Sequence, residues 1–265
     1  MIVAVPNRSS RLKSAPATHT AQGTRTLAID VGGTGLKALI LDAKGAPLTD
    51  RAKVPTPRPA TPKAILAALW TLIEPLGDFD RVSCGFPGVV VEGVVKTAPN
   101  LHPDWKDFAL AQAFAERTRR PARVLNDAGV QGFGVIDGHG LEMVITLGTG
   151  MGTALYIDGH YVPNIELAHH PFRGKKTYED LVGAPAYAAV GKRRWRKRVD
   201  RVIAQILPIF NPRVLYIGGG NAKHLKGELP PQVKITSNVA GLLGGIALWN
   251  EPGLEAKLKP LSGGK

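Results

Sequence analysis

Apolar and turn-forming positions follow one pattern twice along this chain. Residues 27–41 read LAIDVGGTGLKALIL and residues 143–157 read MVITLGTGMGTALYI, each an apolar strand, a Gly/Thr turn and a second apolar strand. At an offset of 116 positions Ile29 meets Ile145, Gly32 meets Gly148, Ala38 meets Ala154, Leu39 meets Leu155 and Asp42 meets Asp158. The chain therefore reads as an internal duplication of α/β units. Between these hairpins the periodicity predicts a helix over 63–76, a strand near Val82 and a loop over 97–105. After the second hairpin come a helix with Trp195, Val199, Val202 and Ile206 on one apolar stripe, a strand over 214–217, and a last helix over 239–249. In that last helix Gly241, Gly244 and Gly245 read as packing positions.

The turns carry the first hint of chemistry. A glycine-rich hairpin turn leaves backbone N–H groups uncovered by side chains, so a polyanion can approach closely. One such turn per half implies a phosphate chain gripped from both sides of a cleft. Gly33, Gly35 and Ala38 also satisfy the dinucleotide pattern GxGxxA, but that pattern needs a helix after the glycines, and 36–41 reads as strand. No GK[ST] follows, which excludes a Walker A loop. Gly218, Gly219 and Gly220, just past a strand end, occupy the position where open α/β sheets place ligands.

Composition narrows the setting. A length of 265 residues with 44% hydrophobic content suits two domains. The boundaries expected are a disordered tail over 1–24, an N-terminal α/β domain over 25–125 and a C-terminal one over 126–265. Cys84 is the only cysteine and reads as a small buried hydrophobe, which points to a reducing, cytoplasmic setting. No apolar run is long enough for a bilayer, and no apolar signal core opens the chain.

The net charge is +13 and its excess is concentrated. Lys192, Arg193, Arg194, Arg196, Lys197, Arg198 and Arg201 place seven basic residues within ten, around Trp195. Such a run suits nucleic acid, a lipid surface or an inorganic phosphate polymer.

LAIDVGGTGLKALIL, APNL at 98–101, VLNDAG at 124–129, LGTGMGTAL at 147–155, ELAHH at 166–170 and LYIGGGNA at 215–222 occur in order. Together they resemble the sugar-kinase branch of the ROK family, from about Thr26 to Trp249. FRGKKTYEDL, GKRRWRKRV and NPRVLYIGGGN are similar to the polyphosphate glucokinases within it.

The resemblance implies an actin-like ATPase (ribonuclease H-like) duplicated fold of two α/β domains closing on a sugar. It implies transfer of the terminal phosphate of inorganic polyphosphate to the 6-hydroxyl of glucose, with use of ATP left open and a strictly ATP-dependent glucokinase or a broader glucomannokinase as the alternatives. Asp127 would accept the hydroxyl proton, since phosphoryl transfer needs alignment, charge neutralisation and a proton acceptor. Asn100, Asn126, Glu166, His169 and Glu179 would join it in holding the sugar. Glu166 and His169, three apart, suit one face of a turn, with His170 as competitor. Asp30, Gly32, Gly33, Thr34, Gly35, Lys37, Gly148, Thr149, Gly150 and the triplet Gly218, Gly219 and Gly220 would meet the phosphates. Asp30 would hold Mg2+ directly or through water. The basic helix would carry the polymer.

Two departures from the family stand out. Ala168 replaces a usual glycine, so a positive φ there would cost about 1 kcal/mol. The zinc-binding cysteine cluster of many ROK proteins is missing at 171–176, so no zinc is expected. The family also contains repressors, but residues 1–24 are too short for a winged helix-turn-helix, which argues against specific nucleic-acid binding. Retention of Asp127 argues against a sugar sensor. A homodimer is implied by resemblance alone.

Overall fold

A computed structural model describes residues 23–236 and 244–250. Most of the expected tail and the part of the last helix around Gly241 lie outside the described residues.

The first sheet begins with the predicted hairpin, β1 (Thr26–Val31) and β2 (Gly35–Leu41). It continues through β3 (Ala52–Pro55), helix α1 (Pro62–Ile73) and β4 (Arg81–Phe86). A small hairpin follows, β5 (Val90–Val91) and β6 (Val94–Val95), then α2 (Leu110–Thr118) and β7 (Ala122–Asn126). Helix α1 starts where the sequence tells it to. Thr61 caps it by accepting from the Ala64 amide at 3.2 Å, Pro62 opens the first turn, and Ile65, Leu69, Leu72 and Ile73 form the buried stripe.

Helix α3 (Asp127–Phe133) leads to the second hairpin, β8 (Leu141–Leu147) and β9 (Met151–Ile157). Then come β10 (His160–Val162), the short hairpin β11 (Pro171–Arg173) and β12 (Lys176–Thr177), and α4 (Tyr178–Val182). Helix α5 (Ala184–Phe210) is interrupted at Gly191, with φ 71° and ψ 165°. Strands β13 (Val214–Gly218) and β14 (Val233–Ile235) complete the second sheet, and α6 (Ala247–Asn250) ends the described chain.

The two sheets have the same plan. Their orders are β3-β2-β1-β4-β7 and β10-β9-β8-β13-β14, and in each the first three strands are antiparallel while the last two run parallel to the third. The duplication read from the sequence is thus a duplication of topology. It differs in one detail: Val31 pairs with Leu36 across four turn residues, whereas Leu147 pairs with Met151 across three. The second turn is one residue tighter.

Each sheet has its own core. Leu27, Ile29 and Val31 pack with Ile65 and Leu69 of α1 and Phe114 of α2. Met143, Ile145 and Leu147 pack with Trp195, Val199, Val202 and Ile206 of α5. Burying each such aliphatic contributes on the order of 1.5–3 kcal/mol, while like charges four apart on an exposed helix cost only about 0.2–0.5 kcal/mol a pair. The basic run therefore folds as a helix on the strength of its apolar stripe.

Helix α3 lies between the sheets, touching β4 and β7 on one side and β8 and β9 on the other. The C-terminal segment returns to the first sheet. Ser83 Oγ donates to the Gly245 carbonyl at 2.6 Å and accepts from Trp249 Nε1 at 2.8 Å. Arg123 donates to the Leu248 carbonyl, and the Arg81 and Arg123 guanidinium groups stand 4.9 and 4.5 Å from the Trp249 ring centre. The expected packing role of Gly244 and Gly245 agrees with their burial there.

Candidate active site

A cleft of about 560 Å³ opens between the two glycine turns. In the first turn the Gly32 amide donates to the Gly35 carbonyl at 3.0 Å. The Gly33 and Thr34 amides donate to nothing among the described residues, although both residues line the cleft. The second turn repeats this: Gly148 N–H donates to Gly150 at 3.0 Å, while the Thr149 and Gly150 amides stay free among the described residues. Its carbonyls are tied back. Gly148 accepts from the Ala184 amide at 3.1 Å and from Asn221 Nδ2 at 3.2 Å, and Thr149 accepts from Ala184 at 3.0 Å. Two pairs of uncommitted amides in one cleft make an anion site. A side chain at Gly33 would touch Asn100 and Thr149 at 3.7–4.0 Å, so the two turns approach closely.

Asp127 stands at the β7–α3 junction. Asn126 caps α3, its Oδ1 accepting from Ala128 at 2.9 Å and Gly129 at 3.2 Å, while its Nδ2 donates to the Gly88 carbonyl at 3.2 Å. One N–H of the Asn126 amide is left for a ligand. Asp127 Oδ1 accepts from the Ala128 amide at 2.8 Å. Burial, and after it the negative charge of Asp30, pushes the Asp127 carboxyl up to about 7. The Ala128 amide opposes that rise, Glu166 adds to it and Lys37 counters it. A carboxylate poised near neutrality in a cleft has the properties of a general base.

Asp30 sits on β1 and pairs with Lys37 across the hairpin, Oδ2 to Nζ 2.7 Å. Cys84, on β4 opposite Ile29, is fully buried, and burial together with the charges of Asp30 and Asp127 holds its thiol well above the ordinary range. It is the small hydrophobe the sequence suggested.

Glu166 precedes a 3-10 turn (Leu167–His169) that brings His169 Nε2 to 3.7 Å from Glu166 Oε2. Burial raises the Glu166 carboxyl; His169 opposes this and Glu179 reinforces it. Glu179 accepts from the Met151 amide at 3.0 Å, and it packs so closely on Gly150 that a Cβ there would collide with its carboxylate. Of the two histidines, His169 lines the cleft, while the exposed His170 lies 3.0 Å from the Pro171 carbonyl through Nδ1. Ala168 is not among the residues with positive φ, so the cost considered for it is not incurred.

On the opposite wall, Gly219 takes φ 88° against the backbone of Leu147, a conformation and an approach that only glycine permits. Gly219 and Gly220 line the cleft; Gly218, the last residue of β13, does not. None of the seven basic residues of α5 lines it either. Ala184, at the start of α5, does, and the basic run begins eight residues further on, just past the break at Gly191. Lys192, Arg193, Arg194, Lys197 and Arg201 are exposed and make no hydrogen bond or ion pair among the described residues. Arg196 reaches Asp200 and the Glu228 carbonyl, and Arg198 the Leu181 carbonyl.

The cleft also contains Gln131, Thr146, Asn221 and Arg51, which none of the sequence motifs above includes as site residues. Gln131 lies four residues after Asp127 on α3, a spacing that signals a shared face. Thr146 stands at the duplication offset from Asp30, and Asn221 directly follows the glycine triplet. Arg51, beside the edge strand β3, lines the cleft without a partner among the described residues, and nothing local in the sequence marks it.

Twin sheets of one plan, each presenting a glycine turn to a shared cleft with a raised carboxylate, define the class: the actin-like ATPase fold of the ROK sugar kinases. The chain belongs to the ROK family, whose sequence profile matches residues 26–163. It is 30% identical over 254 residues to the polyphosphate glucokinase of Mycobacterium tuberculosis, covering 86% of this chain and 94% of that protein. Among solved structures it is similar to the inorganic polyphosphate/ATP-glucomannokinase of Arthrobacter sp. strain KM, with a TM-score of 0.78, 31% identity and coverage of 86% and 100%. A ROK family glucokinase from Streptomyces griseus, solved with glucose and AMPPNP, shares the fold with a TM-score of 0.73 at 21% identity, covering 84% and 98%.

Proposed function

We propose that this protein moves the terminal phosphoryl group of inorganic polyphosphate, with ATP as a second donor, to the 6-hydroxyl of glucose. The observation that carries this reading is Asp127. Its carboxyl, raised to about 7, shares one cleft with four backbone amides that have no acceptor among the described residues. In this reading the sugar lies against Asn100, Glu166, His169 and Glu179, with the remaining N–H of Asn126 beside it. Asp127 accepts the 6-hydroxyl proton as the oxygen–phosphorus bond forms and the bond to the bridging oxygen of the donor breaks. The turn amides stabilise the charge on the transferring group.

Asp30 is the residue suited to Mg2+. It lines the cleft beside the first glycine turn, where an ion would take one carboxylate and fill its other positions with phosphate oxygens and water. Bound there, the ion would neutralise phosphate charge. The preference for a polymer rests on the 30% identity to a polyphosphate glucokinase and on the exposed basic face of α5, beyond the cleft. The test supplies glucose and Mg2+ with either long-chain polyphosphate or ATP and reads glucose 6-phosphate. Product with both donors is expected; product with ATP alone would overturn the polymer assignment, and no product with either would overturn the kinase reading.

A further inference from the structure

The first glycine turn is gripped from outside its own hairpin. Thr56 Oγ1 donates to the Gly32 carbonyl at 2.5 Å, Arg58 Nη2 to the Gly33 carbonyl at 2.7 Å, and the Thr56 amide to the Thr34 carbonyl at 3.2 Å. Three successive carbonyls are thus drawn to one short segment, the one that leaves β3. Thr56 is 7% exposed, so its hydroxyl is committed to this contact.

The geometry of a trans peptide gives this grip a consequence. Within one peptide plane the C=O and the N–H point in opposite directions. Fixing the Gly32 carbonyl therefore fixes the Gly33 amide on the far side, and fixing the Gly33 carbonyl does the same for the Thr34 amide. Those are the two amides of this turn without an acceptor among the described residues. Without the grip, either peptide can rotate and present its carbonyl oxygen to the cleft, where it would repel a phosphate. Glycine at 32 and 33 makes that rotation easy.

We propose that Thr56 and Arg58 are positioning residues for the phosphoryl donor. They hold the turn in its amide-inward state and so set donor affinity without contacting the sugar. This rests on the phosphotransferase reading above.

The test is steady-state kinetics on the full chain with the Thr56→Val, Thr56→Ser and Arg58→Gln variants, varying polyphosphate, ATP and glucose in turn. Thr56→Val keeps the shape of the side chain and removes its donor. It is expected to raise KM for both phosphoryl donors about tenfold, the cost of one lost hydrogen bond to a half-buried acceptor. Arg58→Gln should raise it by about threefold to tenfold. KM for glucose should stay within about twofold, and Thr56→Ser should restore donor KM. An unchanged donor KM in Thr56→Val, an equal rise for glucose and donor, or no rescue by serine would overturn the proposal. Calorimetric titration with inorganic tripolyphosphate, which needs no turnover, separates the two claims. A wild type that binds tripolyphosphate but forms no sugar phosphate would sink the kinase reading, while equal tripolyphosphate affinity in wild type and Thr56→Val would sink the positioning role.

Discussion

The two hairpins that face each other across the cleft share a topology and differ in charge. At the duplication offset Asp30 of the first meets Thr146 of the second, and Lys37 meets Thr153. The first turn is bonded through its carbonyls to Thr56 and Arg58; the second is bonded to the helix start at Ala184 and to Asn221. Each has two amides with no acceptor among the described residues, on residues that line the same cleft. The lesson is that duplication supplied a symmetric anion grip, and that of the two hairpins only the first brings charged side chains, Asp30 and Lys37, to the cleft. Thr146 Oγ1 accepts from the Gly152 amide and Thr153 Oγ1 donates to the Ile165 carbonyl, so the second hairpin uses those positions to hold itself together.

The largest expected effect comes from removing the base that both turns serve. Asp127→Asn keeps shape and loses the proton acceptor, so kcat should fall by about 10²–10⁴ while glucose affinity by calorimetry changes by less than about threefold. A variant with wild-type kcat would reassign the base.

Next is the question of which half holds the polymer. Replacing Arg193, Arg194, Lys197 and Arg198 together by Gln should lower kcat/KM for polyphosphate about tenfold or more, with ATP within about threefold. The salt dependence of polymer use should flatten by up to roughly 0.7 per lost contact. Arg51→Gln, on the first half and inside the cleft, should instead weaken both donors by about threefold to tenfold. Equal losses for both donors in the helix variant would leave that basic face without a role in donor selection.

A smaller effect sharpens the charge asymmetry. Asp127 must be deprotonated to act, so kcat/KM for glucose should rise with pH through about 7. Asp30 helps to raise the Asp127 carboxyl, so Asp30→Asn should move this limb to lower pH while also slowing turnover. A limb that stays in place would show that the two carboxylates are not coupled.

The smallest effect is on stability. A folded-state value of about 7 against an ordinary 3.8 means the native state retains a proton that the unfolded chain releases, so native stability declines as pH rises from about 4 to 7. Asp127→Asn removes that decline. Its melting temperature should exceed that of wild type at pH 8 and match it at pH 4; equal melting curves at pH 8 would argue against the burial of this charge.

Both hairpins were legible because their strands are adjacent in sequence and their turns must contain glycine. Asp127 and the Glu166–His169 pair were legible as family motifs; strand-to-helix and 3-10 geometry then explained why those side chains converge. The one-residue difference between the turns was not legible. The identities align Gly32 with Gly148, yet register is set by which residues pair, and Val31–Leu36 and Leu147–Met151 are pairings that no identity count registers. Arg51, Thr56 and Arg58 escaped notice because their position depends on the edge strand β3 pairing with β2 across a loop, a long-range event with no local periodicity. The apolar spacing within the basic run marks a helix with a buried stripe, but its place outside the cleft follows from where α5 starts and from its break at Gly191.

The return of the C-terminal segment onto Ser83, Arg81 and Arg123 has a mechanical consequence. Helix α3 joins the two sheets, and while β14 belongs to the second sheet the Gly244–Asn250 segment packs on the first, so the halves are held at two places. Bodies pinned once can swivel, whereas bodies pinned twice turn like a door about the line through both pins. Opening and closing around glucose should then be a single rotation about a line through α3 and the Gly244–Asn250 segment, readable as one correlated change in spin-label distances between the sheets. Asp127, at the head of α3, lies near that line and should travel least, keeping its aim while the two turns swing toward and away from each other.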